Sequence, residues 1–221
     1  KMNISKPDLP EVIFIEPIVH KDARGHFLEI FQQQHFNETL GPLKWTQDNV
    51  SSSKKGTVRG LHFQWPKPQG KLVTVMSGKI FDVAVDVRVG SPSFGQWVGQ
   101  VLDDRSHGQL WVPPGFAHGF QSLQNTTVVQ YKCTENFWSP KHEQTIKYDD
   151  PFIRINWPLE VTIVHDRDKF APNLKTLNNL PIYNKNLPMS KDVSHILLGD
   201  IRFFYLYLLY IMLEYLIDRY D

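Results

Sequence analysis

The chain has 221 residues, 41% of them hydrophobic and 21% charged. That balance builds one large globular domain, or one domain with an appendage, and excludes a disordered or fibrous chain. Lys and Arg number 24 against 23 Asp and Glu, a net charge of +1, so no overall field draws the protein to nucleic acid or anionic lipid.

The first ten residues are polar, and the apolar run at 12–15 is far too short for the core of a secretory signal, so a cytoplasmic protein is expected. Residues 12–16, between Pro10 and Pro17, predict a strand. Residues 28–40 hold the one candidate helix in this part of the chain. Residues 71–76 and 79–87 read as a hairpin about Ser77-Gly78, with glycine free to take the positive φ of a tight turn. In the second of these, Phe81, Val83, Val85 and Val87 alternate with Asp82, Ala84 and Asp86, the period of a half-buried strand. Residues 95–102, 109–112 and 128–133 continue the series. Fifteen prolines and thirteen glycines mark frequent turns, and short strands at near-regular spacing predict an all-β sandwich or barrel.

The last part of the chain changes character. Only Tyr131 and Tyr148 of the eight tyrosines precede residue 180. Residues 176–194 read as a linker, and 196–220 are dominated by Leu, Ile, Tyr and Phe. The uncharged run 203–213 falls short of the roughly 20 residues that span a bilayer, so no transmembrane segment is expected. If helical, 201–217 would be apolar on nearly every face, and such a helix is usually buried against something.

Chemistry is carried first by histidine and cysteine. A single cysteine, Cys133, excludes an internal disulfide framework and a cysteine-built zinc site, and suits a reducing compartment. Among nine histidines, His118 ends the turn Pro114-Gly115-Phe116-Ala117-His118, which resembles the second metal motif of cupins. The first motif of such sites has two histidines one residue apart. Here Gly60-Leu61-His62-Phe63-Gln64 keeps one and replaces the other by phenylalanine. His62 and His118 are then left without an evident third ligand, and no metal is expected. Arg59, His62 and Lys71 lie on or beside the first strands of the barrel. Cations aimed into a barrel interior are costly unless an anion arrives, which suggests an anionic small molecule. Arg59 and His62 would sit on opposite faces of a regular strand, and Gly60 is the residue able to bend it there.

Five blocks then appear in order: Arg59-Gly60-Leu61-His62-Phe63-Gln64, Gly70-Lys71-Leu72-Val73, Phe81-Asp82-Val83-Ala84-Val85-Asp86, Phe94-Gly95-Gln96-Trp97-Val98-Gly99 and Trp111 to Phe120. Together with Asp22-Ala23-Arg24-Gly25, Gln47-Asp48-Asn49 and Tyr131-Lys132, they resemble the dTDP-4-dehydrorhamnose 3,5-epimerase family, from about residue 12 to 175. The resemblance implies an all-β cupin-type double-stranded β-helix, or jelly roll, that binds no metal, needs no cofactor and forms a homodimer. It implies two parts: an epimerase domain at 1–177, and a C-terminal extension at 178–221 that reads as linker plus apolar helix. Packing on the dimer, on a partner or on a membrane surface are the readings for that helix.

The implied reaction is epimerisation at C3 and C5 of dTDP-4-dehydro-6-deoxy-D-glucose. By resemblance His62 is the base, Asp168 the carboxylate that orients it, Tyr131 the proton donor across the ring and Lys71 the cation near the C4 oxygen. Substrate binding falls to Arg24, Glu29, Gln47, Asp48, Asn49, Arg59, His118, Glu143 and Arg167, with Arg24 and Glu29 acting across the dimer interface. Position 167 is arginine where lysine is also common in the family. Trp138 is placed either to stack on thymine or simply to pack. The alternatives are an epimerase of one centre on a related nucleotide 4-keto sugar and a non-catalytic cupin that binds nucleotide sugars. A metal-dependent cupin oxygenase comes last.

Overall fold

The computed structural model describes residues 2–9, 11–135 and 141–184. The strands are β1 (Asn3–Ser5), β2 (Ile13–Glu16), β3 (His20–Asp22), β4 (Gly25–Phe27), β5 (Gln47–Ser53), β6 (Thr57–Gln64), β7 (Lys71–Ser77) and β8 (Lys79–Asp86). They continue as β9 (Trp97–Asp103), β10 (Gln109–Val112), β11 (Phe116–Ser122), β12 (Thr127–Cys133), β13 (Glu143–Thr145) and β14 (Ile163–Val164). Helix α1 spans Gln33–Leu40 and the single turn α2 spans Asp166–Lys169.

Two sheets pack face to face. One runs β1-β2-β10-β7-β12-β5 and the other β13-β6-β11-β8-β9, with β3 and β4 forming a separate ribbon. These pairings are antiparallel, and β14 adds to β6 in parallel, Ile163 opposite Thr57. The strands expected from sequence at 12–16, 79–87, 95–102, 109–112 and 128–133 are present within a residue or two. The hairpin about Ser77-Gly78 is not. Strand β7 pairs with β10 and β12 in the first sheet, while β8 pairs with β11 and β9 in the second. Gly78 is a corner between sheets: its φ is +86°, its N–H donates to Asp104 Oδ2 at 2.7 Å, and a Cβ there would meet Thr127 Oγ1 at 2.6 Å. The candidate helix is shorter than expected, because Gln32 is extended and helical geometry begins only at Gln33.

Between the sheets lies a core that includes Val73, Val75, Ile80, Ala84, Leu110, Phe120 and Val129. A second core forms outside the second sheet, where residues 146–180 fold back over Leu61, Phe63, Val83 and Val85. A third lies under α1, with Ile13, Ile15, Phe36 and Trp111. This overturns the half-buried reading of β8. Its two faces alternate as the sequence predicts, but the returning segment covers the outer one, and Asp82 and Asp86 point into the interior with no exposed surface. Asp86 accepts hydrogen bonds from Arg88, Ser91 and Ser93, and Arg88 also holds Glu11 at 2.7 and 2.9 Å.

Residues 178–183 stay docked on the domain. Leu180 packs on the outer core, Val89 N–H donates to Pro181 O at 2.8 Å, and Tyr183 N–H donates to Val89 O at 2.9 Å. The helix expected at 201–217 lies outside the described residues, as does Trp138. Among the described residues no helix is long and apolar enough to cross a membrane.

Candidate active site

The site is organised by a break in β6. Its register with β11 runs His62 opposite His118 and then shifts, so that Arg59 lies opposite Phe120. Gly60 makes the shift possible. Its φ is +116°, and a Cβ there would lie 2.6 Å from Gly119 Cα and 2.7 Å from the carbonyl oxygen of His118. The extra residue at this bulge turns Arg59 and His62 onto the same cavity, although they are three apart.

That cavity has a volume of about 800 Å³ and opens between the sheets. From the second sheet come Arg59, His62, His118 and Glu143. From the first come Gln47, Asn49, Ser51, Lys71 and Tyr131. Strand β14 runs beside the first half of β6 and delivers α2 to its bulge, which brings Arg167 and Asp168 to His62 across more than a hundred residues of sequence. Asp168 is buried. One carboxylate oxygen lies 2.7 Å from His62 Nε2, and the other accepts the Gly60 N–H at 3.1 Å. Arg167 donates from Nη1 to Glu143 Oε2 at 2.8 Å, and its Nη2 lies 2.9 Å from His62 Nε2. The base candidate and Tyr131 therefore stand on opposite walls, with Lys71 on the wall of Tyr131.

The family model described as dTDP-4-dehydrorhamnose 3,5-epimerase matches residues 6–176. The chain belongs to that epimerase family. The dTDP-4-dehydrorhamnose 3,5-epimerase of Methanothermobacter thermautotrophicus is 45% identical over 181 residues, covering 80% of this chain and 96% of that protein. The Pseudomonas aeruginosa epimerase is also 45% identical, over 76% of this chain and 93% of its own length. Among solved structures, the Legionella pneumophila dTDP-6-deoxy-D-glucose-3,5-epimerase in complex with dTDP-4-keto-L-rhamnose superposes with a TM-score of 0.81 at 45% identity. It covers 83% of this chain and 100% of that one. The fold is the all-β, cupin-type jelly roll of these epimerases, and the family is one of isomerases.

Burial sets the electrostatics. It pushes the His62 imidazole below its ordinary value, outweighing the Asp168 carboxylate that pulls the other way. For Asp168 burial acts upward, but the hydrogen bonds with His62 and the Gly60 N–H, together with the charges of His62 and Arg167, outweigh it and hold the acid below its ordinary value. The Lys71 ammonium is pushed down and the Tyr131 phenol up, both mainly by burial. The Cys133 thiol, beside Lys71 in the sheet, is likewise pushed up by burial and receives Asn49 Nδ2 at 3.8 Å.

Of the thirteen site residues expected from sequence, three do not line the cavity of this single chain. Asp48 lies between Gln47 and Asn49 on a strand with a period of two, so it points outward and holds Lys132 at 2.5 Å and Gln130 at 2.8 Å. Arg24, at the turn of the β3–β4 ribbon, is exposed and paired with Asp22 at 2.6 Å. Glu29 is exposed beside His35, 3.4 Å away. Sequence reading missed Ser51, Gln69 and His165 on the cavity wall and Asp82 behind it. Asp82 binds His118 Nε2 at 2.7 Å, and burial raises the acid despite that contact. An acid inside the apolar run Phe81-Asp82-Val83 is the signal that marks it. Among the described residues, no three His, Cys, Asp or Glu side chains converge as a metal site.

Proposed function

We propose that this chain inverts C3 and C5 of dTDP-4-dehydro-6-deoxy-D-glucose, producing dTDP-4-dehydro-L-rhamnose. The observation that carries this reading is the pairing of His62–Asp168 on one wall with Tyr131 and Lys71 on the other, about one cavity. A C4 ketone acidifies the protons on C3 and C5. His62 takes the proton, the C–H electron pair becomes a C=C bond as the C=O π pair moves onto the C4 oxygen, and Lys71 stabilises the resulting enolate. Asp168 stabilises the imidazolium. Tyr131 then protonates the carbon from the opposite face, and the configuration inverts. Two such rounds, with His62 releasing its proton and the phenolate recovering one from solvent, give the product. Only protons move, so the chemistry requires no redox cofactor.

Arg59 and Arg167 supply guanidinium forks for the pyrophosphate. Gln47 and Asn49 contact the nucleotide, while His118 and Glu143 contact the sugar. Arg24 and Glu29 complete the cavity of a second copy in a homodimer, which sedimentation of the purified chain will report. Asp48 holds Lys132 in place rather than touching substrate. A single reduced cysteine supports work in the cytoplasm.

The test is incubation with the dTDP-4-keto sugar in deuterated water. Deuterium at both C3 and C5 is expected, with exchange lost in His62→Ala. Deuterium at one carbon alone replaces the reading with a single-centre epimerase. No exchange in the wild type leaves a nucleotide-sugar-binding cupin.

A further inference from the structure

The guanidinium of Arg167 sits on the base itself. Its Nη2 lies 2.9 Å from His62 Nε2, the same nitrogen that lies 2.7 Å from Asp168 Oδ1. A guanidinium carries donors only, so it serves this nitrogen when the nitrogen is unprotonated. A carboxylate only accepts, so Asp168 is served when the nitrogen carries a proton. The two contacts belong to alternative protonation states of one atom. When His62 takes a substrate proton, its new positive charge forms in contact with a guanidinium, and a like charge at that range disfavours it.

The restraint is weakly anchored. Arg167 Nη1 donates to Glu143 at 2.8 Å and its Nε is 3.4 Å from Asp168, while its side chain keeps 47% of its surface exposed. An ion pair in that setting contributes little, so a multiply charged anion in the cavity outcompetes it. Other groups also face the imidazole. Lys71 from β7 opposes its protonation together with Arg167, and burial works in the same direction. His118 from β11 is its strand neighbour, backed by Asp82 from β8. Arg59 from β6, Tyr131 from β12 and His165 before α2 share the cavity wall. Arg167 is the one of these whose side chain reaches the imidazole nitrogen while bonded to Glu143, a second wall residue.

We propose that Arg167 is a substrate-released restraint on the base. In the empty cavity its guanidinium keeps His62 neutral. The phosphates of the arriving nucleotide sugar draw it away, leaving His62 to accept a proton beside Asp168. Arg167 is thus a positioning residue as well as a phosphate contact, and the base gains its full strength only when a phosphorylated ligand is in place. This inference deepens the epimerase reading and rests on it for the phosphates.

The test is a nitrogen-15 NMR titration of His62, assigned by the loss of its signals in His62→Asn. It compares the wild type with Arg167→Gln, ligand-free and saturated with dTDP. Without ligand, His62 is expected to titrate at higher pH in the variant. With dTDP, the wild-type curve moves up towards that of the variant, and the variant moves less. Arg167→Lys, which keeps the charge but loses the fork, falls between. In turnover, Arg167→Gln raises KM about 10- to 100-fold through the lost charged hydrogen bond. Its acid limb moves to higher pH in kcat/KM, which reports the free enzyme, but not in kcat, which reports the complex. Coincident ligand-free curves, or equal or absent displacement by dTDP in the two proteins, overturn the proposal. Absence of deuterium exchange in the wild type defeats the epimerase reading instead and leaves the ligand-free comparison intact.

Discussion

At His62 two effects of opposite sign meet on one ring. Burial and the nearby cations disfavour the imidazolium, and Asp168 favours it. The net direction is down, so the imidazole stays neutral, as the proposed base must, to lower pH than an ordinary imidazole with its value of 6.5. The acid limb of kcat/KM is therefore expected below that value. Asp168→Asn removes the one partner that raises the imidazole. Its acid limb is expected to move lower still while the rate falls about 10²- to 10⁴-fold, the usual span for a disabled general base. A pH–rate profile of the two proteins checks both parts. An acid limb that moves upward in Asp168→Asn would show that the carboxylate does not stabilise the imidazolium. At this scale the sequence was informative about identity. His62, Lys71 and Tyr131 stood in the quoted blocks and Asp168 was named by the family resemblance, and the structure brings the four to one cavity. Asp82 and the contact between Arg167 and His62 were not nameable, because each depends on what lies opposite in space.

The element that matters most is β6 with its bulge at Gly60. A methyl group there collides with the backbone of β11, where neither strand has a flexible side chain to move aside. Gly60→Ala is expected to cost about 1–3 kcal/mol of stability, as overpacking does. It should also separate Arg59 from His62, so that exchange into substrate falls more than stability does. Parallel thermal melts and deuterium wash-in decide the matter, and unchanged exchange would mean that the bulge is dispensable. Elements were legible where the period of two was clean, as in β8, or where turn residues bracketed an apolar run, as at β10 and β12. Ser77-Gly78 was misread because a glycine corner and a hairpin turn share one local signal, and only the partners of β7 and β8 tell them apart. Strand β5, Gln-Asp-Asn-Val-Ser-Ser-Ser, carried no apolar alternation because the face it turns inward lines a polar cavity rather than a core.

For the molecule as a whole, the buried ion network at Asp86 joins distant parts of the chain. Arg88 binds Asp86 and Glu11, and its guanidinium lies 5.0 Å from the centre of the Tyr183 ring, so β8, the N-terminal segment and the last described residues meet there. Burial acts to raise the Asp86 acid, but the hydrogen bonds from Arg88, Ser91 and Ser93 prevail and hold it below its ordinary value. Its stabilisation is therefore present above the ordinary carboxylate value of 3.8 and is lost as pH falls through the lower value of the folded protein. Asp86→Ala leaves Arg88 buried with one partner fewer. The expected loss is about 3 kcal/mol, or roughly 6–12 °C in Tm for a domain of this size. The loss should shrink as pH falls below the ordinary value of 3.8 and through the lower folded value. A pH scan in which the loss stays constant down to acid unfolding would argue for packing rather than charge.

The sequence by itself determined the class of fold and the family, and it named the candidate reacting groups. Strand periodicity, turn residues and short motifs are local properties, readable along one dimension. The tertiary structure decided which faces are covered, where β7 leaves β8, and how Asp168 and Arg167 reach His62. Asp48 and Asn49 are neighbours in sequence, yet one meets solvent and the other the cavity. Burial, register and the charge felt by a buried ring are set by residues a hundred positions away. Those quantities set how readily the His62 ring holds a proton, and only the folded chain contains them.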